Sequence, residues 1–370
     1  MNILFLDQFS DLGGAQQNLL DLLPAIRKHG WKALVAAPGS GPLADRSRAS
    51  GVPYAELSIG PFRSWKKSAI DVLRFLLQAR ALTRRIALLV EVLEANLIYV
   101  NGPRLLPAAA RAASGRIPLV FHCHSLLRPG YPAVLVGRAL RRSRAALIGN
   151  CRFVLQPLQQ YATGEVVYNG VPAPAGASLR KSGSTFTAGV IGRIAPEKGQ
   201  AEFVQAARTV ARTHPDCRFV VCGAAMFDDP GAARYERQVR QAAADLPVEF
   251  LGWRSDAAQV LAGMDLLIVP SAGREATTRV VFEAFAAGVP VLACNSGGLP
   301  EIIRDRVTGY LAPPGDPAAL ARQMCAVIES DPSQRAQIAE AARQEWRGRY
   351  TLDQYQRSIL AILERVGSSA

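Results

Sequence analysis

The sequence predicts an α/β protein built as two doubly wound domains facing a cleft. Strand-like apolar runs and helix-like patterns alternate along its 370 residues, the pattern of parallel sheets covered by helices. A stretch rich in Pro, Gly and Ser, residues 172–178 and 181–184, separates two such series and reads as a linker. Between residues 265 and 293 an apolar strand, a polar loop, a helix and a second apolar strand follow one another directly. Ligands of such units bind outside the carboxyl ends of the strands.

In the first half, apolar runs lie at residues 3–6, 33–37, 97–100, 119–121, 145–148 and 166–168, with helical patterns at 16–28, 68–94, 134–144 and 153–161. In the second half, strands are expected at 187–191, 219–221, 249–251, 266–269 and 289–293, and helices alone from residue 316. No internal repeat is evident beyond the similar class of the halves. The expected division is a first domain over 1–172, a linker over 173–185, a second domain over 186–350 and a terminal helix with its tail over 351–370.

A hydrophobic content of 49% is ample for two cores and argues against disorder. The start, MNILFLDQFS, lacks a basic region and a long apolar region, so it reads as a buried strand rather than a signal peptide. No apolar run approaches the ~20 residues of a spanning helix. The six cysteines, Cys123, Cys151, Cys217, Cys222, Cys294 and Cys325, show no Cys-x-x-Cys spacing and mostly sit in apolar runs. They read as small core residues in a reducing compartment, and with the four His they form no metal site by spacing. The expected location is the cytoplasm, with a peripheral place on the inner face of the membrane.

Charge is unevenly placed. Residues 1–172 hold 21 Lys and Arg against 9 Asp and Glu, whereas residues 173–370 are almost neutral at +1. That asymmetry points to an anionic partner for the first half. No helix-turn-helix, aromatic RNA-binding signature or zinc finger supports nucleic acid, and an anionic membrane surface or a phosphate-bearing acceptor fits better. Residues 61–95 place Ile70, Leu73, Leu77, Leu82, Ile86, Leu89 and Leu93 at helical spacing. Trp65 and Phe75 add aromatic bulk, and Arg63, Lys66, Lys67, Arg74, Arg80, Arg84 and Arg85 supply a basic face. Such a helix packs on a sheet or lies on a membrane, and both hold if only the Trp65 end and the Arg face touch lipid. A second basic segment spans residues 138–144.

The chemistry gathers around residues 270–300, PSAGREATTRVVFEAFAAGVPVLACNSGGLP. Glu275 falls in the loop, and Glu283 lies one or two turns into the helix that starts near Thr278. Two acids flanking a helix N-terminus suit a ligand with phosphate between two polyols: amides and macrodipole take the phosphate, carboxylates take hydroxyls. A nucleotide-sugar has that shape. Arg193 and Lys198 lie in the loop after the second domain's first strand, where two cations would stabilise a diphosphate as it leaves.

This stretch resembles the signature of the retaining glycosyltransferases of family four, which have the GT-B fold. The family carries two Glu separated by seven residues and a run similar to Glu283-Ala284-Phe285-Ala286-Ala287-Gly288-Val289-Pro290-Val291. Residues 189–199, GVIGRIAPEKG, resemble its Gly-Arg-Leu-x-x-x-Lys-Gly. Residues 248–271 and 297–315 match closely, Gly13-Gly14-Ala15-Gln16 is similar to its Gly-Gly-Ala-Glu, and Tyr168-Asn169-Gly170-Val171 resembles the end of its first domain. The resemblance covers nearly the whole chain.

The resemblance implies that Arg193 and Lys198 bind the donor's diphosphate, Glu283 the donor ribose and Glu275 hydroxyls of the sugar. Arg279 and the amides of Thr277 and Thr278 would complete the donor site, with a Thr hydroxyl capping the helix. Gly252 and Arg254 would flank the base. A functional His ends the first domain's strand, and alignment by the trailing Ser125 favours His124 over His122. Gly13, Gly14 and Gln16 would meet the acceptor, with Gln16 replacing the family's Glu. Ala276-Thr277-Thr278 replaces the commoner Gly-Phe-Gly, which restricts backbone torsions there. The resemblance further implies a terminal helix crossing back onto the first domain and chemistry without metal or cofactor, the nucleotide-diphosphate sugar being a substrate. The expected function is a retaining hexosyltransferase acting on a lipid-linked or cell-surface glycan precursor. The alternative is a nucleotide-sugar-binding protein without transfer activity; a glycogen-type phosphorylase lacks a recognisable cofactor lysine.

Overall fold

The computed structural model describes residues 1–57, 59, 69–174, 185–226, 230–273 and 275–368, with backbone alone for 69–77. The expected contributions of Arg63, Trp65, Lys66 and Lys67, of the side chains of Arg74 and Phe75, and most of the linker lie outside the described residues. The chain forms two units. One comprises Met1–Tyr168 with Asp353–Ala370, the other Asn169–Leu352.

In the first unit the elements run β1 (Asn2–Leu6), α1 (Gly14–Lys28), β2 (Lys32–Pro38), α2 (Pro42–Ala49), β3 (Tyr54–Leu57), α3 (Ala69–Leu93), β4 (Leu97–Val100), α4 (Leu106–Ala113), β5 (Leu119–Cys123), α5 (Tyr131–Ser143), β6 (Ala146–Gly149), α6 (Arg152–Leu155) and β7 (Gly164–Val166). The seven strands form one parallel sheet in the order β3-β2-β1-β4-β5-β6-β7. Helices on both faces bury the strands, so the central ones are apolar at every position: Ile3 to Leu6 and Leu97 to Val100 are buried throughout.

The second unit runs β8 (Thr187–Ile191), α7 (Gln200–Thr213), β9 (Arg218–Cys222), α8 (Pro230–Ala242), β10 (Val248–Gly252), α9 (Ala257–Ala262), β11 (Leu266–Val269), α10 (Arg279–Ala287), β12 (Val291–Cys294), β13 (Tyr310–Ala312), α11 (Pro317–Glu329) and α12 (Pro332–Arg349). Its six parallel strands are ordered β10-β9-β8-β11-β12-β13. Phe203 on α7 meets Phe219 on β9 edge to face, with ring centroids 6.1 Å apart, inside a core of Val, Leu, Ile and Ala. Val171 is tied to this unit by Val171 N–H to Tyr350 O and Leu352 N–H to Val171 O, both 3.0 Å.

The last helix, α13 (Leu352–Ser368), buries Tyr355, Ile359, Ile362 and Leu363, and its residues from Asp353 belong to the first unit. Gln356 Nε2 donates to Asp21 O at 2.6 Å, and His29 Nε2 meets Glu364 at 2.8 Å.

Several elements differ from expectation for identifiable reasons. The helix expected at 153–161 stops after α6 and continues as a 3-10 turn over Gln156–Leu158, because Pro157 has no N–H to give to an α-helical bond. The strand expected at 166–168 lies at β7, and α5 begins earlier than expected, with a proline in its first turn. Beyond residue 316 the chain is helical apart from the bridge of Thr351 to Val171. Among the described residues no helix is long and apolar enough to cross a membrane.

Candidate active site

Each sheet has one point where strand order reverses, between β1 and β4 in the first unit and between β8 and β11 in the second. The loops leaving those strands diverge and open a crevice at the carboxyl edge. Most of the residues singled out in the sequence lie on loops at or next to these two places.

In the second unit, the loop after β8 carries Arg193 and Lys198, and the loop after β11 carries Glu275. The two loops meet through Lys198 Nζ and Glu275 Oε2, 2.6 Å apart, with the side chains only 24% and 12% exposed. Gln200, fully buried at the start of α7, braces the first loop by donating to Arg193 O at 2.9 Å and accepting from Ala195 N–H at 3.3 Å. Gly199 sits so close to β11 that a Cβ there would come within 2.2 Å of Pro270 O. Arg193 donates to Glu197 at 2.6 Å. Both cations are thus held by carboxylates, and a diphosphate would compete with those acids for them.

Glu275 is followed by Ala276-Thr277-Thr278 and then α10. Ala276 and Thr277 are buried, and none of the three adopts a positive φ. The loop therefore has no need of the glycines it lacks. It is pinned from the backbone instead: Gly298 N–H donates to Glu275 O at 3.0 Å, and Asn169 Nδ2 donates to Thr277 O at 3.2 Å. Gly297, with φ +61°, allows that approach, since a Cβ there would lie 1.8 Å from Glu275 O. The expected hydroxyl cap is absent. Thr278 is the N-cap of α10 in extended geometry, but its side chain makes no capping bond. Glu283 lies one turn into α10 and accepts from Arg279 Nε at 2.8 Å. Gly252 and Arg254 lie apart from this group, at the end of the edge strand β10. There Arg254 makes a two-bond fork to Asp256, at 2.7 and 2.6 Å, beside the exposed Trp253. Among the described residues no group of His, Cys, Asp and Glu could hold a metal ion.

In the first unit, His124 follows β5 and Gly13, Gly14 and Gln16 open α1. Neither His122 nor His124 is isolated. His122 is fully buried, hydrogen-bonded through Nδ1 to the Tyr99 hydroxyl, and its ring lies 3.9 Å from that of His124. His124 is only partly buried and bonds through Nε2 to Asn101 Oδ1 at 2.6 Å. Asn101 Nδ2 in turn donates to Asp7 Oδ2 at 2.6 Å, Gln16 Nε2 donates to Asp7 Oδ1 at 2.8 Å, and Gly13 N–H donates to Gln16 Oε1 at 3.1 Å. One connected network therefore joins His124, Asn101, Asp7, Gln16 and Gly13. Asp7 and Asn101 belong to this network although nothing in their own segments singles them out. Burial raises the Asp7 carboxyl to about 6, lowers His124 to about 3 and holds His122 well below the usual imidazole range, with His124 adding to the last effect.

Residues 12–173 match the family model "Glycosyltransferase Family 4", and residues 177–345 match "Glycosyl transferases group 1". The chain is related to the nucleotide-sugar-dependent glycosyltransferases of the GT-B fold. It is 26% identical to the phosphatidyl-myo-inositol mannosyltransferase of Mycobacterium leprae, over 96% of this chain and 94% of that one. It is 35% identical to the 2-deoxystreptamine glucosyltransferase of Streptomyces kanamyceticus over a shorter span, 43% of this chain and 40% of that one. The crystal structure of HepE from Anabaena with UDP-glucose superposes with a TM-score of 0.82 at 27% identity, covering 99% of this chain and 100% of that one.

The shifted groups make stability pH-dependent in a defined sense. Unfolded, His122 and His124 take up protons near 6.5, which their folded forms resist, so their contribution is present above 6.5 and is lost as the pH falls through that value. Asp7 acts oppositely: folded, it binds a proton near 6, unfolded only near 3.8, so acidification through 6 favours the fold. Two losses against one gain leave one net proton, or about 1.4 kcal/mol per pH unit below pH ~6. Denaturant midpoints measured from pH 7 to 5 should fall accordingly, and His124→Gln should flatten the fall.

Proposed function

We propose that this glycosyltransferase retains anomeric configuration as it moves a sugar from a nucleoside-diphosphate donor to an acceptor hydroxyl. The observation that carries the donor assignment is the 2.6 Å pairing of Lys198 with Glu275 beside the N-terminus of α10. It sets a cation and a carboxylate beside the N-terminus of α10, at the strand-order reversal. Arg193 and Lys198 take the diphosphate and, together with the α10 amides, stabilise charge that grows as the glycosidic bond breaks. Glu275 takes sugar hydroxyls and Glu283 the ribose, displacing their present partners Lys198 and Arg279. Gly252 and Arg254 are assigned to the base, His124 to the transferring sugar, and Gly13, Gly14 and Gln16 to the acceptor. The acceptor oxygen forms its bond to the anomeric carbon on the face from which the diphosphate departs, and its proton passes to the departing phosphate oxygen. The UDP and UDP-glucose complexes of HepE make uridine donors the first to test.

The acceptor is proposed to be held at an anionic membrane surface. The first half of the chain carries the net positive charge, and α3 exposes Arg80, Arg84, Leu88 and Val92 along one stripe. The name of the Mycobacterium leprae relative, a phosphatidyl-myo-inositol mannosyltransferase, supports the same class of acceptor.

Arg193→Ala or Lys198→Ala should lower turnover by ~100-fold or more, the usual cost of removing one preorganised donor to developing charge. In calorimetry, Glu283→Ala should weaken binding of free nucleoside diphosphate, while Glu275→Ala spares it and impairs transfer; the reverse pattern would exchange the two roles. Near wild-type turnover in both cation variants would remove the clamp.

Since the two cations and the helix amides supply the positive charge, turnover should survive EDTA. Loss of activity restored by magnesium or manganese would contradict this.

The chain should cosediment with anionic liposomes at low salt, each basic residue near the surface contributing ~1 kcal/mol. Binding should weaken at high salt and on joint replacement Lys66→Glu and Lys67→Glu. Equal binding to neutral and anionic liposomes would sink the surface assignment.

A further inference from the structure

Asp7, Asn101 and His124 are each the first residue beyond a strand, β1, β4 and β5, and these three strands are neighbours in the sheet. Their side chains meet at the carboxyl edge although 94 residues separate Asp7 from Asn101. The Asp7 carboxylate is fully buried and receives three N–H donors: Phe9 N at 2.9 Å, Gln16 Nε2 at 2.8 Å and Asn101 Nδ2 at 2.6 Å. Asn101 Nδ2 also donates to Ala15 O at 3.2 Å. A carboxylate and a backbone carbonyl can only accept, so together they decide which way the Asn101 amide points. Its oxygen must then face His124, 2.6 Å from Nε2. An amide oxygen is an acceptor, so Nε2 carries the proton and Nδ1 holds a lone pair. That Nδ1 is buried and has no hydrogen-bond partner among the described residues. Desolvation of its imidazole keeps His124 neutral.

We infer that Asp7 is a positioning residue: acting through Asn101, it fixes His124 as the Nε2–H tautomer and so makes Nδ1 an acceptor for a hydroxyl group. The hydroxyl belongs to the transferring sugar or to the acceptor, an assignment that rests on the function proposed above. Through Gln16 the same carboxylate holds the Gly13 amide, so one buried charge orders both the histidine and the α1 loop. A neutral group of the same shape would not do this. In Asp7→Asn the new amide keeps its oxygen on Phe9 N, a backbone donor that cannot turn over, and on Gln16 Nε2, so its N–H faces Asn101 Nδ2, also a donor. That clash is relieved when the Asn101 amide turns over. It then presents N–H to His124 Nε2, and the imidazole proton moves to Nδ1.

The test is the nitrogen spectrum of the full chain labelled with 15N-histidine, with the His124 signals identified by their loss in His124→Gln. In the wild type at neutral pH, Nδ1 should resonate as an unprotonated ring nitrogen and Nε2 as a protonated one. The opposite pattern, or an imidazolium, overturns the inference without any variant. In Asp7→Asn the pattern should invert toward Nδ1–H, with kcat lowered about 10-fold, the value of one lost hydrogen bond to the substrate, and binding of free UDP unchanged. An uninverted spectrum in Asp7→Asn overturns the inference. Inversion with unchanged kcat supports the tautomer control and removes His124 from the proposed chemistry, so the two readings fail separately.

Discussion

Every strand in both sheets runs parallel to its neighbours, and the site depends on that constraint. Parallel strands all end on the same edge, so each loop that follows a strand starts there. Asp7, Asn101 and His124 are the first residues after the neighbouring strands β1, β4 and β5, while Arg193 and Glu275 lie in the loops that follow β8 and β11. Because the central strands are buried on both faces, β1 from Ile3 and β4 are almost wholly apolar, and most polar side chains lie at or beyond strand ends. Packing and function are thereby separated along each strand.

The cost of that arrangement is polar burial. Asp7 sits in the interior at the end of β1, and its carboxyl is shifted up to about 6 because burial outweighs the hydrogen bonds that favour its charge. Three N–H donors offset part of the desolvation. The second unit handles charge differently. Its carboxylates and cations near the strand-order reversal pair with one another, Lys198 with Glu275 and Arg279 with Glu283. These pairs hold the side chains in place and leave them exchangeable, because each is still partly open to water.

Close backbone approach supplies the remaining precision. The Glu275 carbonyl lies against Gly297, and the Pro270 carbonyl against Gly199, at distances no side chain would permit. These contacts place the loops after β8, β11 and β12 relative to each other. They explain how Ala276-Thr277-Thr278 keeps an ordered backbone without glycines of its own: the adaptation is on the partner loop, where Gly297 and Gly298 receive it.

The order of residues carried the architecture and the strand–loop–helix unit of residues 265–293. Long apolar runs identified the central strands, because burial on both faces leaves an uninterrupted signal, and Arg193, Lys198, Glu275 and Glu283 stood out because they are close in sequence to recognisable turns. It did not reveal β3, β13, α2 or α4, which are short, or the stop of α6 at Pro157, which a hydrophobic pattern does not register. Nor did it reveal the Asp7–Asn101–His124 chain. Those three residues are unremarkable in their own segments, and they form a unit only because β4 crosses over to lie beside β1 and β5 lies beside β4. The pairing of Lys198 with Glu275 was equally out of reach of pattern, since the two are 77 residues apart. Local chemistry is written in the order of residues; which distant polar groups share a hydrogen bond is decided by strand order and register, and these exist only in the folded sheet.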